Sequence, residues 1–342
     1  MRAMILTGPS QLERGEVDKP VPGDGEVLVR MTHSGICGTD LKIFSGGIPV
    51  NYPLIMGHEM IGEVVETTKG GPATGSGPEV GARVIVDPVT YCGDCYHCDQ
   101  GQINICPNGE LIGRDRDGGF ADFLAVPQGN LYVLPDDIGN KEAALIQVLT
   151  TCVHAHDICP VRPGESVVVI GLGVTGQLHV QLAKAAGAGT VIGVTRSAWK
   201  RELAETLGAD ATLAPSDDLE QQVLDLTEGR GADMVIECAG HMATLAQAFN
   251  LARIGGRILN FGIYTDTEGA LPFYQLYYKE LIIFNPRAAK TDDFQPSIDL
   301  VKSGAVKLLP LISHEMPLDE LSEALATLKS STIDTMKVIL KH

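Results

Sequence analysis

The run Ser166-Val167-Val168-Val169-Ile170 passes without a break into Gly171-Leu172-Gly173-Val174-Thr175-Gly176. A continuous β-branched apolar run of this kind suits a strand buried on both faces of a parallel sheet. A helical pattern follows through Leu178, Leu182 and Ala185, and a second strand arrives at Val191-Ile192-Gly193-Val194. A bare G-x-G-x-x-G is weak evidence, but a strand before it, a helix after it and a second strand beyond specify a dinucleotide-binding βαβ unit. Gly171 allows the turn, Gly173 admits the pyrophosphate, and Gly176 lets helix and strand pack. Val174 opens the helix, whose N-terminal partial positive charge then faces the phosphates. Strand-like runs at Met234–Gly240, Gly256–Gly262 and Leu281–Phe284 continue the alternation and predict a doubly wound α/β sheet.

The end of the second strand reads Val194-Thr195-Arg196-Ser197, with Lys200 nearby. NAD sites usually carry a carboxylate there, accepting from the ribose 2′-hydroxyl. None is present, and Arg196 can pair with a 2′-phosphate. The pattern favours NADP over NAD, although an Arg196 stacked on adenine or facing solvent would still leave NAD acceptable.

Residues 1–90 read differently. Met4–Leu6, Glu26–Arg30, Ile61–Val65 and Arg83–Val86 are short apolar or alternating runs, broken by Pro20–Gly25 and Gly70–Pro78. Many short strands with Gly/Pro turns predict a barrel or sandwich. Inside this half, Gly35-Ile36-Cys37-Gly38-Thr39-Asp40 is answered by Gly57-His58-Glu59. A thiol, a hydroxyl, an imidazole and two carboxylates fall in one window, and thiolate with neutral imidazole is a donor set that Zn²⁺ prefers. If one coordination position stays open, such a metal polarises a substrate oxygen.

Four of the eight cysteines crowd into Cys92-x-x-Cys95-x-x-Cys98 and Cys106. Four thiolates at this density surround one tetrahedral Zn²⁺ and leave no position for substrate, so this site is structural. His97 within the loop is then a bystander. In a long chain whose N-terminus lacks a signal-peptide pattern, such clustering favours metal over disulfide and a reducing, cytosolic compartment. The remaining cysteines, Cys152, Cys159 and Cys238, read as small core residues. At 342 residues the chain exceeds the usual size of one core, which predicts two domains. A net charge of −17 argues against nucleic acid, and the lack of an eighteen-residue apolar run argues against a membrane span.

In order and spacing, GICGTD at 35–40, GHE at 57–59, the four-cysteine loop, GLGVTG at 171–176 and the closing segment from about 290 resemble the medium-chain dehydrogenase/reductase superfamily, in its zinc-dependent alcohol and polyol dehydrogenase branch. The resemblance implies a GroES-like β-barrel catalytic domain over 1–152 and 288–342, with a structural zinc lobe at 90–108. A Rossmann domain over 153–287 would be inserted in it, the active site would lie between the two, and the chain would form a homodimer or homotetramer. It further implies that Cys37 and His58 are ligands of a catalytic zinc. Glu59 would be a carboxylate that binds or exchanges at the metal, Asp40 the partner that orients the histidine, and Thr39 the hydroxyl that takes the substrate's proton. Asp40 and Thr39 can also simply cap the following helix. Thr150 and Thr151 would lie near the nicotinamide.

Two departures stand out. The family's third ligand, usually Cys, Glu or Asp, falls here on Gln147, an amide without charge. The site would then carry a net +1 unless Glu59 coordinates, so Glu59 is expected to bind in at least one state. Alternatively, Gln147 only lines the pocket and zinc is poorly held. At Lys42 the family often has a histidine that ends a proton relay; a lysine there reads as solvated. The expected reaction is hydride transfer between a secondary alcohol or polyol, or its ketone or aldehyde, and the nicotinamide cofactor. A glucose-type sugar 1-dehydrogenase and a non-catalytic NADP(H)-binding relative are the rival readings.

Overall fold

The computed structural model describes residues 1–68, 77–264, 268–330 and 334–342, so most of the expected Gly70–Pro78 break lies outside the described residues. The chain divides into two compact units. One comprises Met1–Thr150, Ala288–Lys302 and Leu308–His342; the other comprises Thr151–Arg287 and Ser303–Lys307.

The first unit is built on the strand Glu26–Gly35. Glu59–Thr67 pairs along nearly its whole length. Elsewhere its first residues pair with Phe123–Pro127 and its last three with Lys337–Lys341. The sheet runs in the order Leu131–Val133, Arg83–Val86, Glu59–Thr67, Glu26–Gly35, Lys337–Lys341, Ile312–Pro317. A second, three-stranded sheet joins Gln11–Glu16, Arg2–Gly8 and Leu54–Ile55. The hairpin arm Gln11–Glu16 escaped the sequence reading because its side chains are mostly polar and exposed. The segment Gly118–Asp122 is irregular and the next strand starts at Phe123. The amides of Gly118, Gly119 and Phe120 donate to the carbonyls of Ile55, Gly57 and Met56, so they have no ladder to join. That detour wraps the chain around Gly57, immediately before His58.

The second unit holds a six-stranded parallel sheet in the order Ala211–Leu213, Thr190–Val194, Ser166–Ile170, Ala232–Glu237, Ala252–Asn260, Ile282–Phe284. This is the strand order of a dinucleotide-binding sheet, with its reversal beside Ser166–Ile170. Val167 and Val169 pack on one face with Ala155, Val180 and Ala183. Val168 and Ile170 pack on the other with Val223, Leu245 and Phe249. Burial on both faces is what the unbroken apolar run required. Two strands end earlier than their sequences suggest, at Glu237 and Asn260. The buried Glu237 carboxylate accepts from the amides of Ala239 (2.8 Å) and Gly240 (3.1 Å), and its carbonyl, which takes the Phe261 amide as the last rung of the ladder, accepts from Gly262 as well, so both segments turn away. Lys307 groups with this unit because its amide donates to Gln181 Oε1 at 2.7 Å.

Two helices of the second unit meet through imidazoles. His156 Nε2 and His179 Nδ1 lie 3.0 Å apart, with the rings stacked. Burial lowers the pKa of His156 to about 4, and burial together with His156 holds His179 well below the usual imidazole value. Both rings fold neutral, whereas the unfolded chain protonates them near pH 6.5. Their contribution is therefore present above about pH 6.5 and is lost as pH falls toward 4. Thermal unfolding followed by circular dichroism should show a midpoint that falls over this window. His179→Gln should flatten that dependence, and an unchanged slope would remove the pair as its cause.

Candidate metal centres and nucleotide site

Cys37, His58 and Glu59 bring a thiol, a ring nitrogen and a carboxylate oxygen within 4.8 Å of one another. The helix Gly38–Phe44 places the first of them, with Cys37 as its N-cap residue. Asp40, at the third helical position and fully buried, reaches back so that Oδ2 accepts the Cys37 amide at 2.8 Å. Its other oxygen lies 3.2 Å from His58 Nδ1, close but off the angle of a well-formed hydrogen bond. One carboxylate therefore both caps the helix and faces the histidine. Burial opposes charge on the His58 ring, yet Asp40 and the Cys37 thiol outweigh it and raise its pKa well above the usual imidazole value. Surroundings that favour a proton on this ring also favour a cation beside it. Thr39 is half-buried on the first turn of the helix, and Lys42 is half-buried in its last turn, where positive charge complements the helix dipole.

Glu59 has a partner that the sequence reading missed. Lys337, buried in the closing strand Lys337–Lys341, donates through Nζ to Glu59 Oε1 at 2.6 Å and also contacts Oε2. The ion pair lies over Gly35, whose strand is flanked by Glu59 on one side and Ile339 on the other. A Cβ at Gly35 would sit 1.9 Å from Glu59 Oε2 and 3.0 Å from Lys337 Cε, so only glycine fits. Gln147 is buried at the second position of the helix Ile146–Ile158. Thr150 is fully buried and its hydroxyl donates to Ile146 O at 2.8 Å, which commits it to its own helix.

The four-cysteine loop forms a separate cluster. Cys92 and Cys106 Sγ are 3.5 Å apart, Cys95 and Cys98 3.5 Å, Cys95 and Cys106 3.8 Å, and Cys92 and Cys98 3.9 Å. A tetrahedron with Zn–S of about 2.3 Å spaces its sulfurs about 3.8 Å apart, so the sulfurs fit a zinc ion without moving. Backbone amides at Cys92 and Asn108 outweigh the opposing effect of burial and bring the Cys106 thiol down to about 7, toward the thiolate a metal needs. His97 Nδ1 lies 3.2 Å from Gln102 Oε1, outside the cluster.

At the glycine loop, Gly171 adopts φ +90° and Gly173 has open space where a side chain would be. A Cβ on Gly176 would lie 1.9 Å from Gly171 O, so the loop closes on the helix only through glycine. The helix Val174–Ala185 has no side-chain cap, which leaves its first amides for an anion. Past the second strand, Thr195 is half-buried, Arg196 is exposed, and Lys200 Nζ sits over the Trp199 ring at 5.2 Å. Thr151 opens the second unit. The structure gathers Cys37, Asp40, His58 and Glu59 into one cluster, the four loop cysteines into another, and the glycines with Thr195, Arg196 and Lys200 around the first βα turns.

Residues 23–136 match the family model of the alcohol dehydrogenase GroES-like domain, and 161–303 match that of the zinc-binding dehydrogenase. A sorbitol dehydrogenase of Halalkalibacterium halodurans is 32% identical, with 99% of each chain covered. This chain is a zinc-dependent medium-chain dehydrogenase/reductase of the alcohol dehydrogenase branch. An L-threonine 3-dehydrogenase of Pyrococcus horikoshii is 35% identical over 100% of this chain and 99% of its own. A zinc-binding dehydrogenase of Sinorhizobium meliloti, solved with NADP, superposes with a TM-score of 0.92 at 33% identity, covering 100% of this chain and 99% of that one. The GroES-like barrel and the Rossmann sheet expected from the motifs are therefore the fold of this family member. Among the described residues no helix is long and apolar enough to cross a membrane.

Breaking a buried ion pair from one side strands the other charge, at a cost of about 3–5 kcal/mol. Lys337→Met should therefore lower the unfolding midpoint of the metal-stripped dehydrogenase sharply, and Lys337→Arg should restore most of it. Chemical denaturation of the stripped protein checks this, and a midpoint unchanged in Lys337→Met would show that Glu59 does not depend on the lysine.

Proposed function

We propose that the protein transfers hydride between a secondary alcohol or polyol, or the matching ketone or aldehyde, and a nicotinamide cofactor, with NADP preferred to NAD. The observation that carries this reading is the convergence of Cys37, His58 and Glu59 ligand atoms within 4.8 Å, in a chain that also holds an uncapped glycine loop. Cys37 and His58, joined by Gln147 or Glu59, would hold a catalytic zinc, and Cys92, Cys95, Cys98 and Cys106 a structural one. When bound, the catalytic ion supplies a Lewis acid for the substrate oxygen, and the cofactor supplies the hydride acceptor or donor.

The chain's own residues supply position and proton movement. Asp40 fixes the His58 ring and the start of the helix that carries Thr39. From that turn the Thr39 hydroxyl accepts the proton of the substrate alcohol while passing its own outward to solvent, and the transfers reverse in the other direction. Glu59, balanced by Lys337, keeps a negative charge beside the thiol and ring without leaving it unpaired. The absence of a carboxylate after Val194, together with exposed Arg196, supports NADP. Relatives named for sorbitol and for threonine support a small hydroxylated substrate.

A panel of polyols, simple alcohols, aldoses and hydroxy amino acids, run with both cofactors, tests the reading; turnover confined to aldoses would move it to the sugar dehydrogenases. On the best substrate, Thr39→Val should lower kcat by about 10²–10⁴-fold, the usual worth of a positioned proton acceptor, with zinc content unchanged. Zinc analysis should find two ions per chain in the parent. Glu59→Ala should lose the catalytic one at a chelator concentration that the parent withstands, and equal retention would take Glu59 out of the shell.

A further inference from the structure

The turn that leaves the strand Thr190–Val194 is held by a side chain the sequence reading passed over. Arg201, in the helix Ala198–Thr206, folds back across the helix start, and one of its nitrogens, Nη1, donates to both Thr195 O at 2.8 Å and Arg196 O at 3.0 Å. Two carbonyl oxygens converging on one point repel each other unless a cation lies between them, and a guanidinium supplies it. The helix is tied from its other side as well. Gln177, fully buried, donates through Nε2 to Lys200 O at 2.8 Å and lies 3.5 Å from Leu172 O of the glycine loop. Helix start, turn and glycine loop are thus fixed as a group, and Arg201 is the member that holds the two turn carbonyls.

We propose that Arg201 is a positioning residue that determines cofactor preference. It cancels the negative ends of the Thr195 and Arg196 carbonyls and holds the turn so that Arg196 and Ser197 are presented to the ribose 2′ group. Without it, two bare carbonyl oxygens would face a 2′-phosphate and repel it. A 2′-hydroxyl would tolerate the same carbonyls, because it can donate to them. The loss therefore falls on the phosphorylated cofactor. Gln177, which bridges to the pyrophosphate-binding loop, is needed by both cofactors alike.

This inference rests on the NADP reading above, and one experiment separates the two. kcat/KM is measured with NADP and with NAD for the parent, Arg201→Met, Arg201→Lys and Gln177→Leu. In Arg201→Met the value with NADP should fall by about tenfold or more, the scale of one lost charge-assisted interaction, while the value with NAD holds or rises. Arg201→Lys, which keeps a cation with one donor group in reach, should recover part of the NADP value. Gln177→Leu should lower both values in proportion. A parent that prefers NAD overturns the NADP reading and this inference with it. A parent that prefers NADP, with an Arg201→Met ratio unchanged or both values reduced equally, overturns the inference alone. Retained turnover with NAD in Arg201→Met shows that the variant has folded.

Discussion

Lys337 and Glu59 are separated by most of the chain and are both sealed from solvent, yet they face each other across a glycine. Neither charge could be buried alone, so the closing strand and the strand Glu59–Thr67 must both seat beside Glu26–Gly35 before either is stable. The pair thereby fixes the register of three strands at the point where Cys37, His58 and Glu59 converge. It brings a carboxylate up to the thiol and the imidazole, with the lysine offsetting its charge. Glu59 can lie next to Cys37 and His58 at low cost because its counter-charge comes from elsewhere in the fold.

Asp40 works on the same economy at shorter range. A single carboxylate holds the Cys37 amide and faces the His58 ring, so the helix cap and the histidine orientation are one constraint. A change at Asp40 would disturb the placement of His58 and the helix start together. The four-cysteine loop stands apart from this coupling. Its sulfurs meet through local turns, among residues fifteen or fewer positions apart, and need nothing from the rest of the sheet.

Sequence reading located the central strands Thr190–Val194, Ser166–Ile170 and Ala232–Glu237 well because they are almost wholly buried and mostly apolar, and it passed over the half-buried edge strand Ala211–Leu213. It erred at their ends. The Glu237 carboxylate takes the amides of Ala239 and Gly240 and its carbonyl takes that of Gly262, and hydrophobicity carries no trace of that competition. The same limit applies to Gly118–Phe120, whose amides are taken by the segment before His58, and to the exposed hairpin arm Gln11–Glu16, whose polar side chains conceal a strand.

What the sequence determined by itself was chemistry that acts between near neighbours. The glycine loop between strand and helix, the four clustered cysteines, and the thiol and imidazole framed by glycines all follow from residue type and spacing. What the tertiary structure alone decided was which partners the charged side chains find. Lys337 reads as one residue of a strand, and Arg201 as one polar residue of an amphipathic helix. Their partners, a buried carboxylate and two backbone carbonyls, are chosen by how strands align and how a turn folds back. Local pattern specifies which side chains are available, but the partner of a buried charge is set by packing, because only the assembled sheet removes the water that would otherwise solvate it.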